Sequence, residues 1–119
     1  MTSLEKAKKV VEILGKRKAY DVVLIEVGGL TSITDYFVIC SGNSESQIKS
    51  LADEVDEKMK EQGISPSHIE GYRSANWILL DYDDVIVHVF HKESRMFYSL
   101  EHLWGDAKRI DISDYITEE

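Results

Sequence analysis

The stretch Trp77-Ile78-Leu79-Leu80-Asp81-Tyr82-Asp83-Asp84-Val85-Ile86-Val87-His88-Val89-Phe90 decides the fold of this chain. Two runs of aliphatic, β-branched and aromatic side chains flank Asp83-Asp84, a pair suited to a turn, so the segment reads as a β-hairpin. With the two aspartates at the turn, Tyr82 pairs with Val85, Leu80 with Val87 and Ile78 with Val89. Period-two alternation then puts Ile78, Leu80, Tyr82, Val85, Val87 and Val89 on one face. Trp77, Leu79, Asp81, Ile86, His88 and Phe90 fall on the other. The first set reads as a core face. The second mixes aromatic and polar groups, and two readings fit it: helices cover it and His88 is an interior histidine, or a partner docks there.

Working outward from the hairpin, Thr2 and Glu5 have capping-box spacing, and Leu4, Ala7, Val10, Val11 and Leu14 follow at three- and four-residue steps. This predicts a first helix ending near Gly15. Asp21 to Val27 and Tyr36 to Cys40 read as strands, the first stopped by Gly28-Gly29. Asn43 or Ser44 caps a second helix with Ile48, Leu51, Ala52, Val55 and Met59 on its apolar face, closed by Gly63 with Pro66 beyond. His68 to Glu70 is a short strand. Ser94 caps a third helix through Trp104, with Phe97, Leu100, Leu103 and Trp104 packing inward, and Arg95, Tyr98 and His102 on another flank. The tail after Trp104 holds Ile110, Ile112 and Ile116, and either adds an edge strand or lies against the body. The expected fold is a single α/β domain over residues 1–119, with a mixed five-stranded sheet flanked by helices.

A hydrophobic share of 43% and a charged share of 30% are those of an ordered globular domain. The formal net charge of −8 repels phosphate backbones and anionic lipid heads. That disfavours direct nucleic-acid or membrane binding, and two readings fit it equally: a basic protein partner, or acidity that only keeps the domain soluble. Cys40 is the one cysteine, so an internal disulfide cannot form. No apolar run approaches membrane-spanning length, and the first twenty residues alternate lysine with Glu5 and Glu12, so neither a span nor a leader peptide is expected. The cytosol is the expected location.

Catalytic constellations are sparse. Ser41-Gly42-Asn43-Ser44 before a helix offers an anion cradle, and Asp81, Asp83 and Asp84 form an acidic cluster, the raw parts of a metal-dependent nucleotidyltransferase. Against this, Asp83 and Asp84 read as turn residues, and no second carboxylate shares the face of Asp81. His68, His88, His91 and His102 lack ligand spacing, and Cys40 sits in an apolar strand and reads as a buried small side chain. No metal, cofactor or catalytic residue is expected.

The chain resembles the ribosomal silencing factor, or Iojap, family from about Asp21 to Trp104. Four blocks carry the resemblance: Ser32 to Ser44; Glu70-Gly71 with Trp77 to Asp81; Asp84 to Phe90; and Arg95 with Tyr98 to Trp104. The resemblance implies a nucleotidyltransferase-like fold without enzymatic activity. It also implies binding to the fourteenth protein of the large ribosomal subunit, steric blocking of small-subunit joining, silencing of translation during nutrient limitation, and a homodimer when free. A ribosome-biogenesis role on the same surface is the alternative. Mapped onto this sequence, the implied partner-binding residues are Trp77, Leu79, His88, Glu70, Tyr72, Asp81, Arg95 and Tyr98.

Overall fold

The computed structural model describes residues 1–94, 105 and 107–115. Helix α1 (Ser3–Lys16) begins where the Thr2 hydroxyl accepts from the Glu5 amide at 3.1 Å and the Glu5 carboxylate accepts from the Thr2 amide at 3.1 Å. The capping box read from the sequence is thus formed, satisfying two amides that a helix start leaves open. Strands β1 (Tyr20–Glu26) and β2 (Tyr36–Gly42) make an antiparallel pair with Val23 opposite Ile39 and Ile25 opposite Phe37. The Ser44 hydroxyl then caps α2 (Glu45–Glu61) by accepting from the Gln47 amide at 3.1 Å. At its far end Gly63 takes a left-handed φ of 77°, and the Ile64 amide turns back to the Met59 carbonyl at 2.9 Å.

Strands β3 (His68–Glu70), β4 (Trp77–Asp81) and β5 (Val85–His91) follow. The expected hairpin register holds: Trp77 lies across from Phe90, Ile78 from Val89, Leu79 from His88 and Leu80 from Val87. Strand β5 also runs parallel to β2, joined by the long crossover through α2, which makes the sheet mixed. Its order is β3-β4-β5-β2-β1-β6, where β6 (Lys108–Ile110) pairs antiparallel with β1. Among the described residues the sheet therefore has six strands and not five. The outer edge of β1 would otherwise leave a row of unpaired amides and carbonyls, and β6 covers it, so of the two placements open to the tail the edge strand is the one formed.

Both helices pack on the first face. Val10, Val11 and Leu14 of α1 and Ile48, Leu51, Val55 and Met59 of α2 close over Val38, Cys40, Ile78, Leu80, Val87 and Val89, all fully or almost fully buried. Cys40 is buried as expected. The second face carries its own cluster of Ile25, Val27, Phe37, Ile39, Ile86 and Phe90, with Val23, Trp77, Leu79 and Ala107 partly buried against it. Lys92, Glu93 and Ser94 are already helical, so the turn after β5 begins before the expected Ser94 cap; the remainder of the predicted third helix lies outside the described residues.

Candidate functional site

Strand pairing assembles the second face in rows, because directly opposed residues share a face. One row runs Glu70, Leu79, His88, Ile39; its neighbour runs His68, Asp81, Ile86, Phe37; and Trp77 stands beside Phe90. Trp77, Leu79 and Asp81 are half-buried and Glu70 is exposed, whereas Phe90 and His88 are only 1% and 4% exposed. The face therefore divides. Its β5 side is interior, and its β3–β4 side reaches the surface.

The aromatic side chains are mutually fixed. Trp77 stacks on Phe90 with centroids 5.0 Å apart and planes at 25°, and Phe37 meets His88 edge-on at 4.8 Å and 84°. The Trp77 indole N–H donates to His88 Nδ1 at 3.0 Å. Burial pushes the His88 imidazole down to about 3, so the ring is neutral at physiological pH. Phe37 was not singled out in the sequence. Its approach depends on the parallel β2–β5 pairing, for which only its odd-numbered phase with Ile39 gives a local signal.

Around this cluster the charges are local. Asp81 accepts from the Asp83 amide at 2.8 Å and lies 3.5 Å from His68 Nε2, which is 3.9 Å from Glu70. Gly71, at φ 79°, lets the chain fold against β4: a Cβ there would stand 2.0 Å from the Trp77 carbonyl oxygen. The other implied residues do not join the row. Tyr72 turns to α2, its hydroxyl donating to Asp53 at 3.0 Å with Lys49 over its ring, and α2 lies on the opposite face. Arg95 and Tyr98 lie outside the described residues.

The parts of a nucleotidyltransferase site point apart. Asp84 faces α1, accepting from Lys6 Nζ at 2.6 Å and from the Ser3 hydroxyl at 2.8 Å. Burial opposes its ionisation, but these partners hold its carboxyl below the usual range. Asp81 is directed to its own turn and to β3. In the glycine-serine turn, Ser44 caps α2 and the Asn43 amide is taken by the Gln47 side chain at 2.6 Å. Among the described residues no group of three or more His, Cys, Asp or Glu side chains is placed to hold a metal ion. A cleft of about 470 Å³ lies elsewhere, lined by Lys16, Arg17, Lys18, Ser44 and Gln47, and Arg17 is engaged there by Glu54 at 3.1 Å.

A family model described as "Ribosomal silencing factor during starvation" matches residues 1–119. The chain belongs to the ribosomal silencing factor family. It is 42% identical over 117 residues to the ribosomal silencing factor RsfS of Halalkalibacterium halodurans, covering 98% of this chain and 100% of that protein. It is 43% identical over 96 residues to RsfS of Bacillus subtilis, covering 81% of each. The crystal structure of a Chromobacterium violaceum protein matches with a TM-score of 0.86 at 34% identity, over 95% of this chain and 93% of that one. In this ribosomal silencing factor, the blocks that carried the resemblance fall on β2, on β3 with β4, and on β5. They build the centre of the sheet and the half-open face just described. The fourth block lies outside the described residues.

Proposed function

We propose that this ribosomal silencing factor is a non-enzymatic translational repressor that docks on the large ribosomal subunit through its fourteenth protein and excludes the small subunit by occupying the joining surface. The observation that carries the reading is the divided second face: an aromatic cluster rooted in the interior, with Trp77 and Leu79 half-buried on β4 and the carboxylates of Glu70 and Asp81 further along the same face, around His68. An aromatic anchor beside acidic groups suits a basic protein surface, since large rings supply contact area and complementary charge sets register. The net charge of −8 repels neighbouring ribosomal RNA and favours protein as the contact. Arg95 and Tyr98 are included in the docking surface on the strength of the family resemblance. In the free protein the same face supports a homodimer, and the setting is the cytosol.

The test uses purified protein and dissociated subunits. Added before magnesium-driven reassociation, the protein raises the free-subunit fraction on a sucrose gradient and co-sediments with the large subunit. Bound protein with unchanged reassociation would reject occlusion. Trp77→Ala weakens binding by about 2 kcal/mol or more, the loss expected of a buried aromatic anchor; wild-type affinity in a folded variant removes Trp77 from that role.

A further inference from the structure

The one polar atom of Trp77 is turned inward. An indole nitrogen can only donate, so in the 3.0 Å contact His88 Nδ1 must offer its lone pair, and the neutral ring then carries its proton on Nε2. Nε2 is buried and has no hydrogen-bond partner among the described residues. With no partner among the described residues, that buried N–H carries a desolvation penalty that a phenylalanine, packed on Phe37 in the same edge-on way, would avoid. Stability alone is therefore a poor reason for histidine at this position. What histidine supplies and phenylalanine lacks is an acceptor 3.0 Å from the indole. The acceptor comes from the interior strand β5 and reaches a side chain that is half-buried at the start of β4. The stack on Phe90 holds the ring, and the bond to His88 fixes where its N–H edge points, so less ordering is left to oppose binding.

We infer that His88 is the positioning residue of the docking face: it holds the Trp77 indole in one orientation with its N–H directed inward, so Trp77 meets the partner through ring carbon and π surface and not as a hydrogen-bond donor. The inference rests on the docking reading above. Burial of His88 keeps the ring in the neutral, accepting form that the contact requires. Phe90, stacked on Trp77, and Phe37, set against His88, brace the pair from both sides.

The test is a double-mutant cycle read by binding to the large subunit, with nitrogen-15 spectroscopy of the free protein. His88→Phe weakens docking about tenfold in the Trp77 background while the fold is kept. His88→Gln, whose side-chain oxygen can accept from the indole, stays within about threefold of wild type. In a Trp77→Phe background, where there is no indole N–H to hold, His88→Phe has no further effect. The imidazole nitrogen shifts place the proton on Nε2, and the Trp77 indole proton is slow to exchange. A folded His88→Phe protein that binds like wild type, an equal loss in both backgrounds, or a proton on Nδ1 would each overturn the inference. Should His88→Phe fail to fold, His88→Gln and the nitrogen shifts decide. If wild-type protein does not bind the large subunit, the docking reading fails, while the spectra still decide whether the tie exists.

Discussion

His88 links the proposed docking face to the acid behaviour of the fold. Burial holds its imidazole near 3, against about 6.5 in an exposed peptide, so between those values the unfolded chain binds a proton that the native one does not. A depressed pKa contributes stability that is fully present above about pH 6.5 and is lost as pH falls towards the native value. Denaturant unfolding should therefore show stability falling steadily once the pH is below roughly 6. Glu5, Glu12 and Asp111 are held below their usual range by the Thr2 amide, the Lys16 ammonium and the Ser113 amide respectively, so their losses begin lower. His88→Phe should flatten the profile between pH 6 and about 4.5; an unchanged slope would mean that another group sets it. The face and opposite neighbour of His88 were legible from the two aspartates of the turn and period two. Its burial was one of two readings left open and its bond to the indole was not read at all, because spacing orders side chains on a face but fixes neither their rotamers nor what closes over them.

At the scale of elements, the sequence was most informative where a segment carries its own cap or turn. The capping box of α1, the Ser44 cap of α2 and the β4–β5 register are all local, and each is formed by the residues that predicted it. Pairings set by distant segments were less readable: the tail offered an edge strand but not its neighbour β1, and nothing local set β2 alongside β5. Gly71 shows how much rests on one such meeting. Its left-handed φ admits other residues only with strain, and a methyl group would enter the Trp77 carbonyl oxygen at 2.0 Å. Gly71→Ala should destabilise the domain by about 3 kcal/mol or displace β3 from β4, and either change moves Glu70 away from Leu79. Thermal unfolding and amide exchange across β3 and β4 check this. A variant with wild-type stability and protected β3 amides would show that the chain relaxes around the added methyl group.

For the whole molecule, charge and shape make different contributions to docking. Helices α1 and α2 bury the centre of the first face, the proposed docking face is the β3–β4 side of the second, and the chain carries a net charge of −8. Attraction between an acidic domain and a basic protein acts mainly on the rate of encounter and is screened beyond about 8–10 Å at physiological salt. The contacts proposed for Trp77 and Leu79 would be short-ranged and act mainly on dissociation. Raising salt from about 50 to about 300 mM should thus slow association with the isolated ribosomal protein severalfold and leave dissociation nearly unchanged. On the intact subunit the same salt also screens repulsion from ribosomal RNA, so the association rate should depend on salt less steeply than with the isolated protein. Stopped-flow measurements on both partners separate the two effects. Equal slopes would mean that RNA does not help register this face, and an association rate that rises with salt for the isolated protein would reject charge steering as its means of approach.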